Sequence, residues 1–251
     1  MSDAKPDMER GLYIAATSMT SALARQDVIA SNLANVNTVG FKADRVTTSA
    51  FDEMVIYNME SGEKLGNLSM GSRVSGTVTD FSQGALRNTE LPTDVAIAGD
   101  GFFAVETPNG VRYTRNGQFG IDSAGYLVDS QSQYVLGSSG QRLLVNGDPK
   151  ISPDGRVFSA DGNLLGELGV FTLDTTTMQK IGANQWNGTP TGGRPGSTKV
   201  RQGYVEASGV NSIQEMVQMI ENMRSYESSQ RMVGMIDGTL DRAVNSLGTL
   251  G

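Results

Sequence analysis

Towards the end of the chain, apolar residues recur at steps of three and four: Ile213, Met216, Ile220, Met223 and Tyr226, then Val233, Ile236, Leu240, Ala243 and Leu247. Gln230 fills the place where the stripe skips. A mean spacing of about 3.5 marks a narrow seam between long helices, rather than the broad apolar face of a helix on a globular core. Ser212, followed by Glu215, reads as a capping box in which each side chain satisfies a free backbone N–H. A helix over 212–247 is roughly 50 Å long and is marginal in water unless its stripe is covered.

The start of the chain offers a cover. After Pro6 and Asp7, with Asp7 as N-cap, apolar or small residues fall at Leu12, Ala15, Met19, Ala22 or Leu23, Ile29 and Leu33, with Gln26 as the polar member. Asn35, Asn37 and Gly40 then supply helix-stop and turn chemistry. The two seams either pair within one chain or also enter a bundle with copies or relatives; spacing does not count strands.

From Val74 the period falls to two. Val74, Gly76 and Val78 interleave with polar residues, and short apolar runs follow at Val95–Ile97, Phe102–Val105, Tyr113, Phe119–Ile121, Tyr126–Val128, Tyr134–Leu136 and Leu168–Leu173. Asn-Gly and Asp-Gly pairs separate them, as tight hairpin turns require. This rhythm predicts an antiparallel all-β domain. Residues 184–198, rich in Gly, Pro, Asn and Thr, read as a loop, and 200–206 as a strand returning to the last helix. The predicted fold is α+β: N- and C-terminal helices forming a coiled-coil-like pair, with the β domain inserted between them. The boundaries are 1–42 for the first helix and its turn, 43–74 for a connector, 75–205 for the β domain and 206–251 for the last helix.

Composition removes several function classes. The 251 residues carry a net charge of −7, which disfavours nucleic-acid binding, and no apolar run is long enough to span a membrane. The first residues lack the basic start and apolar core of a secretory signal. There is no cysteine and no histidine, so thiolate nucleophiles, Cys-type zinc sites and the commonest general base are missing. No catalytic, cofactor or metal residue is assigned. Gly99-x-Gly101-x-x-Ala104, with Asp122 further on, imitates a dinucleotide fingerprint, but strand-like residues follow where a helix must start. Asp154-Gly155 and Asp161-Gly162 lack the ligand spacing of a calcium loop and read as turns. Asp94 and Asp100 are a chance carboxylate pair among 27 acidic residues. The methionines at 216, 219, 223, 232 and 235 suit core filling or helix contacts that tolerate varied neighbours.

Three blocks carry a family resemblance. Asn32-Leu-Ala-Asn-Val-Asn-Thr-Val-Gly-Phe-Lys42 resembles the N-terminal motif of bacterial flagellar rod and hook proteins. Residues 94–105, Tyr113-Thr-Arg-Asn-Gly117 and Gly125-Tyr-Leu-Val128 resemble that family's β-domain strands. Residues 203–211, Glu215–Ile220 and Arg224-Ser-Tyr-Glu227 resemble its C-terminal motif. Met8–Ala15 and Tyr226–Met232 look closer to the proximal-rod branch than to the distal-rod branch. Ser31, Gly209 and Met223 depart from the usual pattern and bear on the branch only.

The resemblance implies a structural subunit of the basal-body rod, which crosses the periplasm and transmits motor torque. Terminal helices would form an inner coiled-coil layer, with the β domain outside and export through the type III apparatus without a cleaved signal. Implied partners are copies of the chain, other rod proteins and the rings around the rod, with no membrane insertion. The interface residues expected from the seams and the turn are Leu12, Met19, Leu23, Leu33, Asn35, Gly40, Phe41, Ile213, Met216, Ile220, Met223, Tyr226, Ile236 and Leu240. A second reading is a β-domain module for carbohydrate or peptidoglycan, dimerised by its helices. It needs Tyr113, Phe119, Tyr126 and Tyr134 exposed on one face.

Overall fold

The computed structural model describes residues 4–51, 54–57, 64–68, 71–182 and 184–248. The chain is α+β, with mostly antiparallel strands between an N-terminal and a C-terminal helix. It divides into two compact units: residues 1–34, 44–79 and 211–251 form unit 1, and residues 35–43 and 80–210 form unit 2. Met59, residues 60–63 and the side chains of Ala243 and Leu247 lie outside the described residues, whereas Met54–Tyr57 and Lys64–Leu68, within the segment expected to be a connector, pair as antiparallel strands.

Unit 1 holds helices α1 (Ala4–Ala34) and α2 (Ser212–Gly248). Asp7 lies inside the first turn of α1 rather than ahead of it; Pro6 is tolerated there because first-turn N–H groups have no intrahelical acceptor. The start of α2 also differs from the capping box read at Ser212. Asn211 is the cap: its Oδ1 accepts from the N–H groups of Ile213 (3.1 Å) and Gln214 (3.3 Å). Asn is a strong capping residue, and with Asn211 in that role Ser212 becomes the first helical position.

Polar side chains cross between the helices. Asn222 Nδ2 donates to the Ala22 carbonyl (2.8 Å) and to Gln26 Oε1 (3.0 Å), and Ser229 Oγ meets Ser18 Oγ at 3.3 Å. In the same unit, strand Asp44–Ala50 pairs antiparallel with Ser72–Thr79, with a register slip between Thr47 and Thr48. That second strand runs through the 74/75 boundary expected from sequence. Buried Asn32 fixes the first strand at two points: its Nδ2 donates to the Asp44 carbonyl (2.8 Å), and the Asp44 N–H donates to its Oδ1 (3.0 Å).

Unit 2 is built on strand Phe102–Thr107. It forms a hairpin with Gly110–Thr114 and pairs along its other edge with Tyr134–Val135 and Val170–Leu173. Successive side chains of a strand point to opposite faces, so this strand feeds two cores. Phe103 and Val105 join Val95, Ile97, Leu127, Val135, Leu143 and Leu168 on one side. Phe102 and Ala104 join Tyr113, Leu136, Leu173 and Trp186 on the other.

The segment read as a loop over 184–198 instead carries strands Gln185–Asn187 and Pro190–Gly192, and it delivers Trp186 to the second core. Burying one large ring outweighs the turn-rich composition around it. The predicted strand over 200–206 is two short ones, Lys199–Gln202 and Tyr204–Glu206, broken at Gly203.

Candidate functional site

Apart from Ser212 at its start and Gly238, the half-buried positions of α2 fall at Glu215, Met219, Asn222, Tyr226, Ser229, Val233, Ile236 and Leu240. Steps of four and three alternate without a break, so these residues share one face. Asn222 and Ser229 bond to α1, and Ile236 packs over Gly11; that face is the one turned to α1. The apolar stripe coincides with it only from Tyr226 onward. Ile213, Met216, Ile220 and Met223 are 75%, 50%, 53% and 52% exposed, with Val217 beside them at 49%.

The reason lies in the spacing. Ile220, Met223 and Tyr226 are separated by two successive steps of three. An α-helix turns about 100° per residue, so the second short step moves the stripe by about that angle from where a step of four would put it. One stripe in sequence is thus two in space, an outward ridge over 213–223 and an inward seam over 226–240.

On α1, Ala15, Ala22 and Ile29 are buried at heptad spacing, Leu12, Met19 and Leu33 are half-buried, and Leu23 is exposed. Leu23 borders a groove of about 350 Å³ shared with Ala22, Asn222, Met223 and Tyr226. The remaining expected interface residues belong to unit 2: Asn35 is half-buried, while Gly40 and Phe41 are buried against this chain's own β strands.

The turn that follows α1 is therefore embedded. The Gly40 N–H donates to the Glu206 carbonyl (2.7 Å), the Gly209 N–H to the Phe41 carbonyl (2.9 Å) and the Asp80 N–H to the Ala43 carbonyl (2.8 Å). Gly40 adopts φ 67°, and a Cβ there would fall on the Arg115 carbonyl group. Phe41 packs with Ala43, Val210 and Val36, and Lys180 Nζ sits 4.2 Å from its ring centroid.

Beneath the turn lies a buried ionic cluster that sequence reasoning missed. Lys42 Nζ donates to Glu206 Oε1 (2.6 Å) and to the Ser82 carbonyl (2.6 Å), and Arg115 donates to Glu206 Oε2 (3.1 Å). The Gly84 N–H adds a further bond to Glu206 Oε1 at 2.8 Å. Burial pushes the Lys42 ammonium below the usual lysine value, and Glu206 opposes that shift. The only hint in sequence is a charged residue between Phe41 and Ala43, and another ending the apolar strand Tyr204–Glu206.

The chemistry-like motifs are structural. Strand Phe102–Thr107 starts where a nucleotide-binding helix would have to begin, and Asp122 Oδ1 accepts from the N–H groups of Ala124 and Tyr126 within its own turn. Asp94 is buried and Asp100 exposed. Among the described residues no acidic cluster could hold a metal ion. Tyr113 and Phe119 are buried, and Tyr126 and Tyr134 stack edge-to-face (5.6 Å) with Arg142 over Tyr134. The four-residue exposed platform expected for a carbohydrate module is not formed: only half-buried Tyr126 and Tyr134 meet, and Tyr113 and Phe119 lie in the core.

Three family descriptions match the chain in order: "Flagella basal body rod protein" over residues 12–42, "Flagellar hook protein FlgE/F/G D1 domain" over 96–183, and "Flagellar basal body rod FlgEFG protein C-terminal" over 201–247. The chain is 33% identical to the flagellar basal-body rod protein FlgG of Bacillus subtilis, covering 95% of this chain and 99% of that protein. It is 32% identical to FlgF of Mesorhizobium japonicum, over 96% of this chain and 99% of that protein. Against FlgG of Borreliella burgdorferi the identity is 34%, over 95% and 98%.

Proposed function

The chain belongs to the flagellar basal-body rod family, as a structural subunit of the basal body that assembles with other rod proteins, and we propose that it does so through the outward ridge of α2. The supporting observation is the ridge itself: Ile213, Met216, Val217, Ile220 and Met223 are uncovered on a helix whose inward seam is occupied by α1. Contiguous exposed apolar surface on a soluble chain marks an interaction site. The α1–α2 contact becomes a coiled-coil-like pair within the rod, with Leu23 of α1 extending the ridge. Contacts of the head-to-tail kind then build an open helical assembly from copies and relatives. Asn35, Gly40 and Phe41 serve instead to seat the exit turn in unit 2. The role requires no chemistry, and the chain travels by type III export.

The test is Ile220→Asp in the full-length chain. Ile220 is exposed, so the charge costs the folded monomer little, but it lies in the middle of the ridge. The variant should fail to assemble and leave cells non-motile, while the near-ultraviolet signal of Trp186 in unit 2 stays native. Assembly at the wild-type level would remove the ridge from the interface. The branch is the proximal rod, consistent with residues 8–15 and 226–232. In isolated basal bodies a label on this chain should lie on the membrane side of the rod; a label at the hook side selects the distal branch.

A further inference from the structure

We propose that Met216 and Met223 form a peroxide-sensitive pair, and that their oxidation disables the α2 ridge before the chain is assembled. This rests on the ridge being the assembly surface. The chain contains 12 methionines and no cysteine, so thioethers are its only sulfur. Those of α2 occupy three different settings. Met216 and Met223 flank Ile220 on the ridge, each about half exposed. Met219, between them in sequence, lies on the face turned to α1 and is half-buried. Met232 and Met235 are exposed at 47% and 67% but stand off the ridge, whose heptad continuation passes through Glu227, Gln230 and Gly234.

The step is a two-electron oxygen transfer. A sulfur lone pair attacks one oxygen of a hydroperoxide, the S–O bond forms as the O–O bond breaks, and the proton on the transferred oxygen leaves with the departing one. With hydrogen peroxide the products are the sulfoxide and water. The sulfoxide is polar and chiral where the thioether was apolar and pliable. Two such groups beside Ile220 place unsatisfied acceptors in a contact that otherwise excludes water, which is costly. A covered ridge shields the same sulfurs, so the sensitivity belongs to the free chain.

The experiment treats the full-length chain with hydrogen peroxide, maps sulfoxides by peptide mass spectrometry and follows self-association by sedimentation velocity. Each sample is read against its own untreated control. Met216 and Met223 should oxidise several-fold faster than Met219, and association should fall about tenfold or more. After treatment, the Met216→Leu/Met223→Leu chain should retain the association of its untreated sample, whereas Met232→Leu/Met235→Leu should lose it as the unaltered chain does. Equal oxidation at Met219, or equal peroxide loss in the Met216→Leu/Met223→Leu chain, overturns the proposal alone. An untreated chain that never associates overturns the ridge reading and this inference together.

Discussion

Glu206 is the anion on which two buried cations depend. Its oxygens take the Lys42 ammonium, the Arg115 guanidinium and the Gly84 N–H, and the side chain is 1% exposed. Removing one partner of a buried charge pair costs about 3–5 kcal/mol, because the charge left behind is uncompensated. Glu206→Gln should destabilise unit 2 by that order in urea titrations followed through Trp186; an unchanged midpoint would mean the cluster is solvated in solution. The Lys42 shift also sets a pH direction. Its folded value lies below 10.5, so between the two values the unfolded chain binds more protons. The Lys42 contribution to stability therefore rises with pH across that window and is lost as pH falls through the folded value. On the surface, Arg142 bonds to Glu106 at 2.6 and 3.1 Å and holds its carboxyl below the usual range. In Arg142→Ala the Glu106 carboxyl titration, followed by carbon NMR, should move upward; the same curve in both proteins would deny the pair.

Helix α2 shows what a periodic stripe does and does not reveal. Its existence, extent and partner were legible from apolar spacing, because a long helix must cover apolar surface to persist. Its orientation was not. Ile213, Met216, Ile220 and Met223 look like the start of the seam that Val233, Ile236 and Leu240 continue, yet the two sets face about 100° apart. Asn222, on the covered face, was hidden because a lone polar residue between apolar ones resembles solvent surface. Its bonds to Ala22 and Gln26 fix the register of the pair. Polar seam residues of this kind trade stability for specificity. Asn222→Leu should keep or raise helicity by circular dichroism while letting the helices pair in more than one register, read as heterogeneous cross-links between engineered cysteines. A single native cross-link pattern would give Asn222 no such role. The cap is a smaller effect: Asn211→Ala should cost about 1 kcal/mol, while Ser212→Ala should cost less.

The β unit was legible as strands and turns because alternation and glycine placement are local signals. Its dependence on residues 35–43 was not, since nothing in their polarity says that Phe41 and Lys42 lie among strands far away in sequence. Unit 2 is consequently discontinuous, its smaller piece carrying a fully packed ring and one cation of the buried cluster. A fragment spanning 80–210 leaves a void where Phe41 sits and one fewer partner for Glu206. By comparison with a 35–210 fragment it should be less stable by about 3 kcal/mol or more, the scale of losing a buried Phe. Urea unfolding followed by Trp186 fluorescence measures the difference. A peptide with the sequence of residues 35–43 should shift the midpoint of the 80–210 fragment upward, since a ligand that binds only the folded state stabilises it. The same peptide with Phe41→Ala and Lys42→Ala should not. Matching midpoints for the two fragments would mean that the β strands hold their fold without the turn, and that the burial of Phe41 is a consequence of that fold rather than one of its causes.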